Sequence, residues 1–271
     1  LTAPDAGQPA DLLAALDHGW AVALTDYEGL GTPGDHTYMV GRSEGRALLD
    51  AIRAATRLPG GPLAAGTQVA VMGYSQGGGA AVWAGELAPS YAPELKLVAV
   101  VGGGVPADLE AVIRALDGTR LTGLAFAMVA GLDTAYPELN LADFLTDGGS
   151  QEMATLRTEC SVEFVVRNMG RSLADLTTSN PLDAPAWKRR LAENSLGANP
   201  PKAPVYLSHG TADSVIVYPQ AEALRNRYCA AGASLTWAPY AGDHPDALAH
   251  YGNGIQFLAA RFAGHPAPGN C

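Results

Sequence analysis

The stretch Val71-Met72-Gly73-Tyr74-Ser75-Gln76-Gly77 decides the fold, because it carries Gly-x-Ser-x-Gly between two contrasting segments. Residues 68–73 have the apolar pattern of a strand, and residues 77–87 have the small-residue pattern of a helix. A strand-to-helix turn this sharp strains the serine backbone and requires almost no side chain two positions before and after it. Gly73 and Gly77 meet that requirement. A chance match is the alternative in a chain with 32 glycines, but the context favours a reactive serine.

Length and composition indicate a globular protein with a large core. The chain has 271 residues, of which 48% are hydrophobic, enough for one large α/β domain. Its 17 Lys+Arg against 27 Asp+Glu give a net charge of −10, which disfavours a nucleic-acid partner. No run of 18 apolar residues occurs, so we expect no integral membrane segment. The cysteines form no C-x-x-C or Cys/His cluster, so we expect no metal site.

Strand and helix patterns alternate outside the middle of the chain, which predicts an α/β fold with a mostly parallel sheet flanked by helices. The predicted strands are 20–25, 68–73, 95–101, 205–210 and 234–240, and the predicted helices are 7–19, 40–57, 77–87, 218–231 and 244–262. Leu1 and Thr2 are interpreted as the end of one more strand. Because only one full strand precedes the serine strand, we infer that earlier strands of the sheet lie upstream of residue 1.

The middle of the chain breaks this alternation. From residue 106 to 202 the patterns are mostly helical, and roughly 95 residues is too long for a simple connection in a compact domain. We therefore predict a core of residues 1–105 and 203–271 with an inserted helical cap, or lid, of residues 106–202. Apolar residues of the cap suit a pocket for an apolar group or an ordinary helical core, and both interpretations stay open. They are Leu121, Leu124, Phe126, Met128, Val129, Leu139, Leu141, Phe144 and Leu145.

Three distant residues are the candidate catalytic groups. A serine hydroxyl becomes a good nucleophile only when an imidazole removes its proton, and a carboxylate must orient that imidazole. Where the serine lies on such a turn, the chain order is serine, acid, histidine. Ser75, then Asp213 after the strand 205–210, then His244 after the strand 234–240 fit this order. The mechanism requires no cofactor and no metal.

Competing assignments are weaker. Asp213 could instead form a turn or cap a helix, and Asp243 is a second candidate acid, although adjacent side chains in a loop rarely face each other. We expect His209, inside the motif of the acid, to brace that loop. The remaining histidines fit the chain order poorly: His18, His36, His250 and His265.

Two backbone N–H groups should bind the oxyanion of the reaction. One belongs to the residue after the nucleophile, Gln76. The other is assigned to Asp26 or Tyr27, in the glycine-rich loop 26–34 that follows the first predicted strand. The alternative is that the glycines of this loop, Gly29, Gly31 and Gly34, merely form a turn.

Four segments together resemble the secretory lipases, the lipase A type of the α/β-hydrolases. They are Thr25-Asp26-Tyr27-Glu28-Gly29-Leu30-Gly31, residues 41–50 (GRSEGRALLD), residues 73–78 (GYSQGG) and His209-Gly210-Thr211-Ala212-Asp213. The resemblance implies an α/β-hydrolase fold and a secreted serine esterase that cleaves carboxylic esters, triacylglycerols included, under a helical lid. By motif, the nucleophile, acid and base of the family fall on Ser75, Asp213 and His244, and its oxyanion donors on Asp26 and Gln76.

The resemblance also implies partners and missing parts. A lipid or small ester is the expected substrate, a lipid–water interface is an expected partner, and the expected location is extracellular. Members of the family carry a substantial segment before the loop at residue 26, so we expect this chain to be a processed form or a piece of a precursor. Cys229 and Cys271 look like a disulfide pair that holds the C-terminal tail. Cys160 is then left over, and we expect its partner upstream of residue 1.

Two rival functions remain. The first is a serine peptidase of the same fold, which would bind the charged amino terminus of a substrate through acidic cap residues. The candidates are Glu138, Asp143, Asp147, Glu152, Glu159 and Glu163. The second is a non-catalytic lipid-binding relative, although a binding protein has no use for a complete triad. The sequence identifies no substrate-binding residues.

Overall fold

A parallel sheet of four strands organises the part of the chain that the computed structural model describes, residues 10–61 and 63–271. Its order is β1-β2-β3-β4, and each neighbouring pair is parallel. The strands are β1 Gln68–Tyr74, β2 Lys96–Gly103, β3 Val205–Gly210 and β4 Leu235–Tyr240. All four carboxyl ends therefore lie at one edge of the sheet, which is where loops of such folds form their sites.

Helices connect and cover these strands. They are α1 Ala10–Asp17, α2 Gly41–Thr56, α3 Gln76–Tyr91, α4 Leu109–Leu116, α5 Thr122–Ala135, α6 Asp147–Leu156, α7 Ser161–Arg167, α8 Leu173–Leu176, α9 Pro185–Glu193, α10 Tyr218–Ala230 and α11 Tyr251–Phe262. The predicted strands 68–73, 95–101, 205–210 and 234–240 agree with the structure within two residues at each end. The last predicted helix begins differently, because residues His244–His250 form a 3₁₀ turn before α11.

Both faces of the sheet are packed by helices. On one face, Val71, Val100 and Val205 join buried residues of α2, α3 and α10 such as Leu49 and Leu224. On the other face, a smaller cluster joins strand residues to α11: Val101, Tyr206, Phe257 and Leu258. A sheet covered on both faces needs continuous apolar strands, which explains why β1, β2 and β3 read as apolar runs rather than alternating patterns.

The segment between β2 and β3 is helical throughout α4 to α9, with one isolated antiparallel bridge, Leu145 to Thr177, among its described residues. It has its own apolar core, in which Trp187 is fully buried and donates its Nε1–H to the carbonyl oxygen of Leu139 at 3.1 Å. The nine apolar residues noted above all lie in this core or pack against it, which favours the ordinary helical core. The cap boundaries at residues 106 and 202 stay a prediction.

The core of this helical segment includes residues from outside it. Met39 and Val40, just before α2, and Ile216, just after β3, are buried within the same cluster. The helical segment is thereby anchored to two loops at the carboxyl edge of the sheet. Its position is tied to the loops that carry the candidate site.

The prediction of a buried strand at residues 20–25 is wrong. This segment pairs with no described strand, and Val22 and Leu24 are 40% and 77% exposed. An apolar run fits the sequence pattern of a strand, but a strand also needs a hydrogen-bonded neighbour. Here a cavity of about 640 Å³, lined by Trp20 and Val69, separates the segment from β1. The strand end proposed at Leu1 and Thr2 lies outside the described residues.

The C-terminal tail follows the outer edge of β4. Asn270 donates its backbone N–H to the carbonyl oxygen of Leu235 at 3.0 Å, and its side chain exchanges hydrogen bonds with the backbone of Trp237. Cys271 forms a disulfide with Cys229 of α10, as expected. The tail thus covers an edge that would otherwise present unpaired backbone groups. Within the described ranges, every helix is too short or too polar to span a bilayer.

Candidate active site

Ser75 lies at the tip of a strained turn between β1 and α3. Its backbone angles are φ 55° and ψ −121°, and its N–H donates to the carbonyl oxygen of Gly103 at 2.9 Å. A side chain at Gly73 could not be accommodated, since a Cβ there would lie 2.1 Å from the carbonyl oxygen of Gly77. A Cβ at Gly78 would lie 2.3 Å from the carbonyl oxygen of Gly103, so α3 packs closely on the sheet. The turn is the one that the sequence predicts.

Gly77 differs from the expectation. A Cβ at Gly77 would meet only the hydroxyl of Tyr27, at an ordinary distance of 3.9 Å. The close approach of strand and helix therefore involves the backbone of Gly77 and the missing side chain of Gly73. Only Gly73 of these two glycines lacks space for a side chain, because a Cβ points in a different direction before the turn than after it.

His244 joins the serine to the acid. Its Nε2 lies 3.0 Å from the Oγ of Ser75, and its Nδ1 lies 2.8 Å from Oδ2 of Asp213. Because an ionised carboxylate can only accept, Nδ1 carries the proton and Nε2 is free to accept the serine proton. Asp213 is buried, and its Oδ1 accepts the N–H groups of Val215 and Ile216 at 2.9 and 2.7 Å. These bonds fix the carboxylate that orients the imidazole.

Asp243 has a different position from the one required of the acid. Its carboxylate accepts the N–H of Ser214 and the N–H of His244, each at 2.7 Å, and Oδ2 is 3.0 Å from the hydroxyl of Ser214. These hydrogen bonds, that of the Ser214 N–H first, lower the pKa of Asp243. Asp243 therefore clamps the loop of Asp213 to the loop of His244.

His209 and Tyr74 support the same loops. Nε2 of the buried His209 donates to the carbonyl oxygen of Ile216 at 2.7 Å and lies 3.4 Å from Oδ2 of Asp213. Burial lowers the pKa of His209, so this ring is a neutral brace, as expected. The hydroxyl of Tyr74 donates to the carbonyl oxygen of His244 at 2.6 Å. The role of Tyr74 escaped the sequence reasoning, because nothing in a strand pattern indicates a partner 170 residues away.

The candidate oxyanion donors lie on two elements. Gln76 is the first residue of α3, a position whose N–H has no acceptor within the helix. In the loop after residue 25, the N–H of Tyr27 donates to Oγ1 of Thr25 at 3.1 Å, which favours Asp26 as the second donor. Tyr27 has a positive φ of 63°, and its hydroxyl approaches Gly77. The loop thus adjoins the turn that carries Ser75.

A buried carboxylate missed by the sequence reasoning lies beside this turn. Glu44 of α2 is 2% exposed, and its Oε1 accepts the side-chain N–H of Gln76 at 2.7 Å and the N–H of Met39 at 2.9 Å. Burial raises the pKa of Glu44 to about 7, against the lowering effect of these two bonds. Its place in residues 41–50, one of the four segments that resemble the family, is the only signal the sequence gives.

The remaining candidate histidines lie elsewhere. The ring of His18 stacks on Trp20, and the ring of His250 stacks on Tyr240. His36 is closer to the site, since its Nε2 lies 3.3 Å from Nε2 of Gln76. Cys160 is exposed and has no disulfide partner among the described residues, so its upstream partner stays a prediction.

A parallel sheet whose strand-to-helix turn presents a serine to a histidine and an aspartate on later loops defines an α/β-hydrolase fold. Solved structures agree: the chain superposes on Candida antarctica lipase A in its closed state with a TM-score of 0.85 and 29% identity, over 94% of this chain and 62% of that one. The chain belongs to the secretory lipase family, whose sequence pattern it matches over residues 9–270.

Two relatives in this family differ in what their names say about activity. A secreted triacylglycerol lipase of Malassezia restricta is 32% identical over 264 residues, which are 93% of this chain and 55% of that protein. A probable inactive lipase of Mycobacterium tuberculosis is 33% identical over 267 residues, 93% of this chain and 57% of that protein. The chain thus spans little more than half the length of these relatives.

Proposed function

We propose that this chain is a secreted serine hydrolase that cleaves carboxylic esters, with triacylglycerols as one substrate class. The observation that carries the proposal is the continuous relay from the Oγ of Ser75 through His244 to the buried Asp213. Names of relatives such as the secreted triacylglycerol lipase of Malassezia restricta support the substrate class and the extracellular location.

In the proposed reaction, Oγ of Ser75 attacks the ester carbonyl carbon while Nε2 of His244 takes its proton. The carbonyl oxygen becomes an oxyanion, which the N–H groups of Gln76 and Asp26 bind. Collapse breaks the C–O bond to the alcohol, and His244 returns the proton to that leaving group. Water then attacks the acyl-enzyme with His244 as base, which releases the carboxylic acid and restores the serine hydroxyl. Asp213 holds the ring and stabilises its cation throughout.

The peptidase alternative would need free acidic groups in the cap. Three of the six candidates are engaged in ion pairs: Glu138 with Arg190, Glu152 with Arg167 and Arg171, and Glu159 with Arg167. A carboxylate with an arginine partner is poorly available for a substrate amino terminus. Asp143, Asp147 and Glu163 remain for this role. Hydrolysis of p-nitrophenyl esters, compared with amino-acyl anilides at equal concentration, separates the two activities.

The non-catalytic alternative has support in the name of the Mycobacterium tuberculosis relative. Labelling by a fluorophosphonate probe tests it directly, because the probe reacts with an activated serine. We expect the folded protein to be labelled and the Ser75→Ala variant to be neither labelled nor able to hydrolyse p-nitrophenyl butyrate. Folded protein that the probe leaves unmodified would favour a binding protein.

A lipid–water interface is the proposed place of action. The described cap exposes Val162, Val166 and Met169 at 71%, 56% and 47%, which supports contact with an apolar surface. Hydrolysis of tributyrin measured below and above its solubility limit tests this, with a rise in rate above the limit as the expected result. A series of esters from short to long acyl chains would define the substrate preference.

A further inference from the structure

Glu44 lies where three parts of the molecule meet. It belongs to the first turn of α2, its carboxylate reaches Gln76 at the start of α3, and it also accepts the N–H of Met39. Met39 has a positive φ of 63°, a conformation that a residue with a side chain adopts only when its surroundings hold it there. One oxygen atom, Oε1, therefore restrains both the turn before α2 and the side chain that follows the nucleophile.

The first turn of α3 needs such a restraint. Gln76 is followed by Gly77, Gly78 and Gly79, and glycine restricts the backbone less than any other residue. The first N–H groups of a helix also lack acceptors within it, so helical hydrogen bonds do not fix the Gln76 peptide. The bond from Gln76 to Glu44 is charge-assisted when the carboxylate is ionised, which makes it about twice as strong as a neutral one.

We propose that Glu44 is a positioning residue for the oxyanion hole: its buried carboxylate holds the Gln76 side chain and thereby fixes the direction of the Gln76 backbone N–H. The inference rests on the proposed hydrolase function, because it assigns Glu44 a role at the same site. Glu44 acts through Gln76 and does not touch the substrate.

Few groups around Glu44 can change charge near neutral pH. Tyr27 and Tyr38 face it from the preceding loop, and burial, with the charge of Glu44 as the second cause, raises the pKa of both, that of Tyr27 to about 12. Both tyrosines are therefore neutral between pH 5 and 9. His36 approaches from the same loop through Gln76. His36 and His244 are present in wild type and in Glu44 variants alike. The ratio of wild-type kcat to variant kcat therefore reports the effect of Glu44 and not that of the two histidines.

The test compares kcat and KM for p-nitrophenyl butyrate in four proteins besides wild type: Glu44→Leu, Gln76→Leu, the double variant and Glu44→Gln. Loss of an oxyanion donor costs about 100- to 1000-fold in kcat, and its displacement should cost less. We expect Glu44→Leu and Gln76→Leu each to lower kcat by roughly 10-fold or more with KM changed by less than about threefold. We expect the double variant to be no slower than the slower single variant, because each single change already breaks the bond between Glu44 and Gln76.

The conservative variant supplies a second readout. Glu44→Gln keeps the size and one acceptor oxygen but can never ionise, so it imitates the protonated carboxyl. The ratio of wild-type to Glu44→Gln kcat should be close to 1 at pH 5.5 and rise with a midpoint near pH 7, where Glu44 ionises. A role limited to packing would leave this ratio constant with pH.

Glu86 provides the matched control. It is a second buried carboxylate with a raised pKa, caused first by burial, and it accepts the hydroxyl of Tyr228 at 2.7 Å. It lies ten residues after Gln76 on α3, about 15 Å along the helix axis. Glu86→Gln should lower thermal stability while kcat per folded molecule stays within about twofold of wild type.

The outcomes separate the two proposals. Wild type that is neither active nor labelled at Ser75 overturns the hydrolase function, and the role of Glu44 with it. Active wild type with unchanged kcat in Glu44→Leu and Gln76→Leu overturns the role of Glu44 alone, as do effects confined to KM or additive effects in the double variant. Where Glu44→Leu does not fold, Gln76→Leu and the pH dependence of Glu44→Gln decide.

Discussion

The Nε2 atom of His244 lies 3.0 Å from the Oγ of Ser75, although 169 residues separate the two in the chain. The parallel sheet produces this contact, because β1 and β4 end at the same edge and each delivers its loop there. Tyr74, the neighbour of Ser75, also holds the backbone of His244 through its hydroxyl. Two adjacent residues at the end of β1, Tyr74 and Ser75, thus both contact His244.

The two aspartates near His244 should differ in their effect on activity. Asp213→Asn should lower kcat for p-nitrophenyl butyrate by about 1000- to 10,000-fold, because the amide no longer selects the tautomer with a proton on Nδ1. Asp243→Asn should lower it by less than about tenfold, since the carboxylate of Asp243 bonds the backbone of His244 and the loop at Ser214 and not the imidazole. A larger loss in Asp243→Asn than in Asp213→Asn would reverse the assignment of the acid.

The two glycines of the serine turn should tolerate alanine very differently. Gly73→Ala should destabilise the protein by more than about 4 kcal/mol or prevent folding, because its Cβ would overlap the backbone of Gly77. Gly77→Ala has space, and the higher helix propensity of alanine should keep the free energy of unfolding within about 1 kcal/mol of wild type. Urea denaturation of both variants checks this, and equal destabilisation would contradict the structure.

Glu44 should make stability depend on pH. Its pKa is about 7 in the folded protein and near 4.5 when unfolded, so the folded state binds the extra proton between these values. The free energy of unfolding should therefore fall as pH rises from about 4.5 through 7, by up to about 3 kcal/mol from this group. Glu44→Gln lacks this decline, so its stability relative to wild type should increase with pH in that window. Urea denaturation of both proteins at pH 5, 6, 7 and 8 measures the difference between their free energies of unfolding. A difference that stays constant with pH would contradict this prediction.

The disulfide between Cys229 and Cys271 should stabilise the protein. It closes a loop with a sequence separation of 42 residues, for which chain entropy predicts about 4 kcal/mol, with less expected in practice. Cys271→Ser should lower the unfolding midpoint in urea, and reduction of wild type with dithiothreitol should have the same effect. Cys160→Ser in the 271-residue chain is the control, because Cys160 has no disulfide partner among the described residues, and it should leave the midpoint unchanged. A midpoint unaffected by Cys271→Ser would show that the non-covalent contacts of the tail, those of Asn270 among them, are enough to hold it.

Much of the site was predictable because its residue types and their order are constrained by chemistry. A nucleophile needs a base and the base needs an acid, so Ser75, Asp213 and His244 stand out at the ends of predicted strands. The same logic did not find Glu44 or the clamp by Asp243, because a carboxylate acting through another residue has no required place in the chain order. The prediction that Gly77 must lack a side chain is wrong for a related reason. Residue spacing does not tell in which direction a Cβ points.

The sequence by itself determined the parallel arrangement of β1 to β4, the helical segment between β2 and β3, and the identity of the three proposed catalytic residues. Periodicity and turn residues report which side chains are buried and where the chain reverses, and those are local properties. The tertiary structure alone decided that residues 20–25 pair with none of the described strands and that Glu44 meets Gln76. Both depend on which distant segments are neighbours in space, and that is set by the packing of the whole chain.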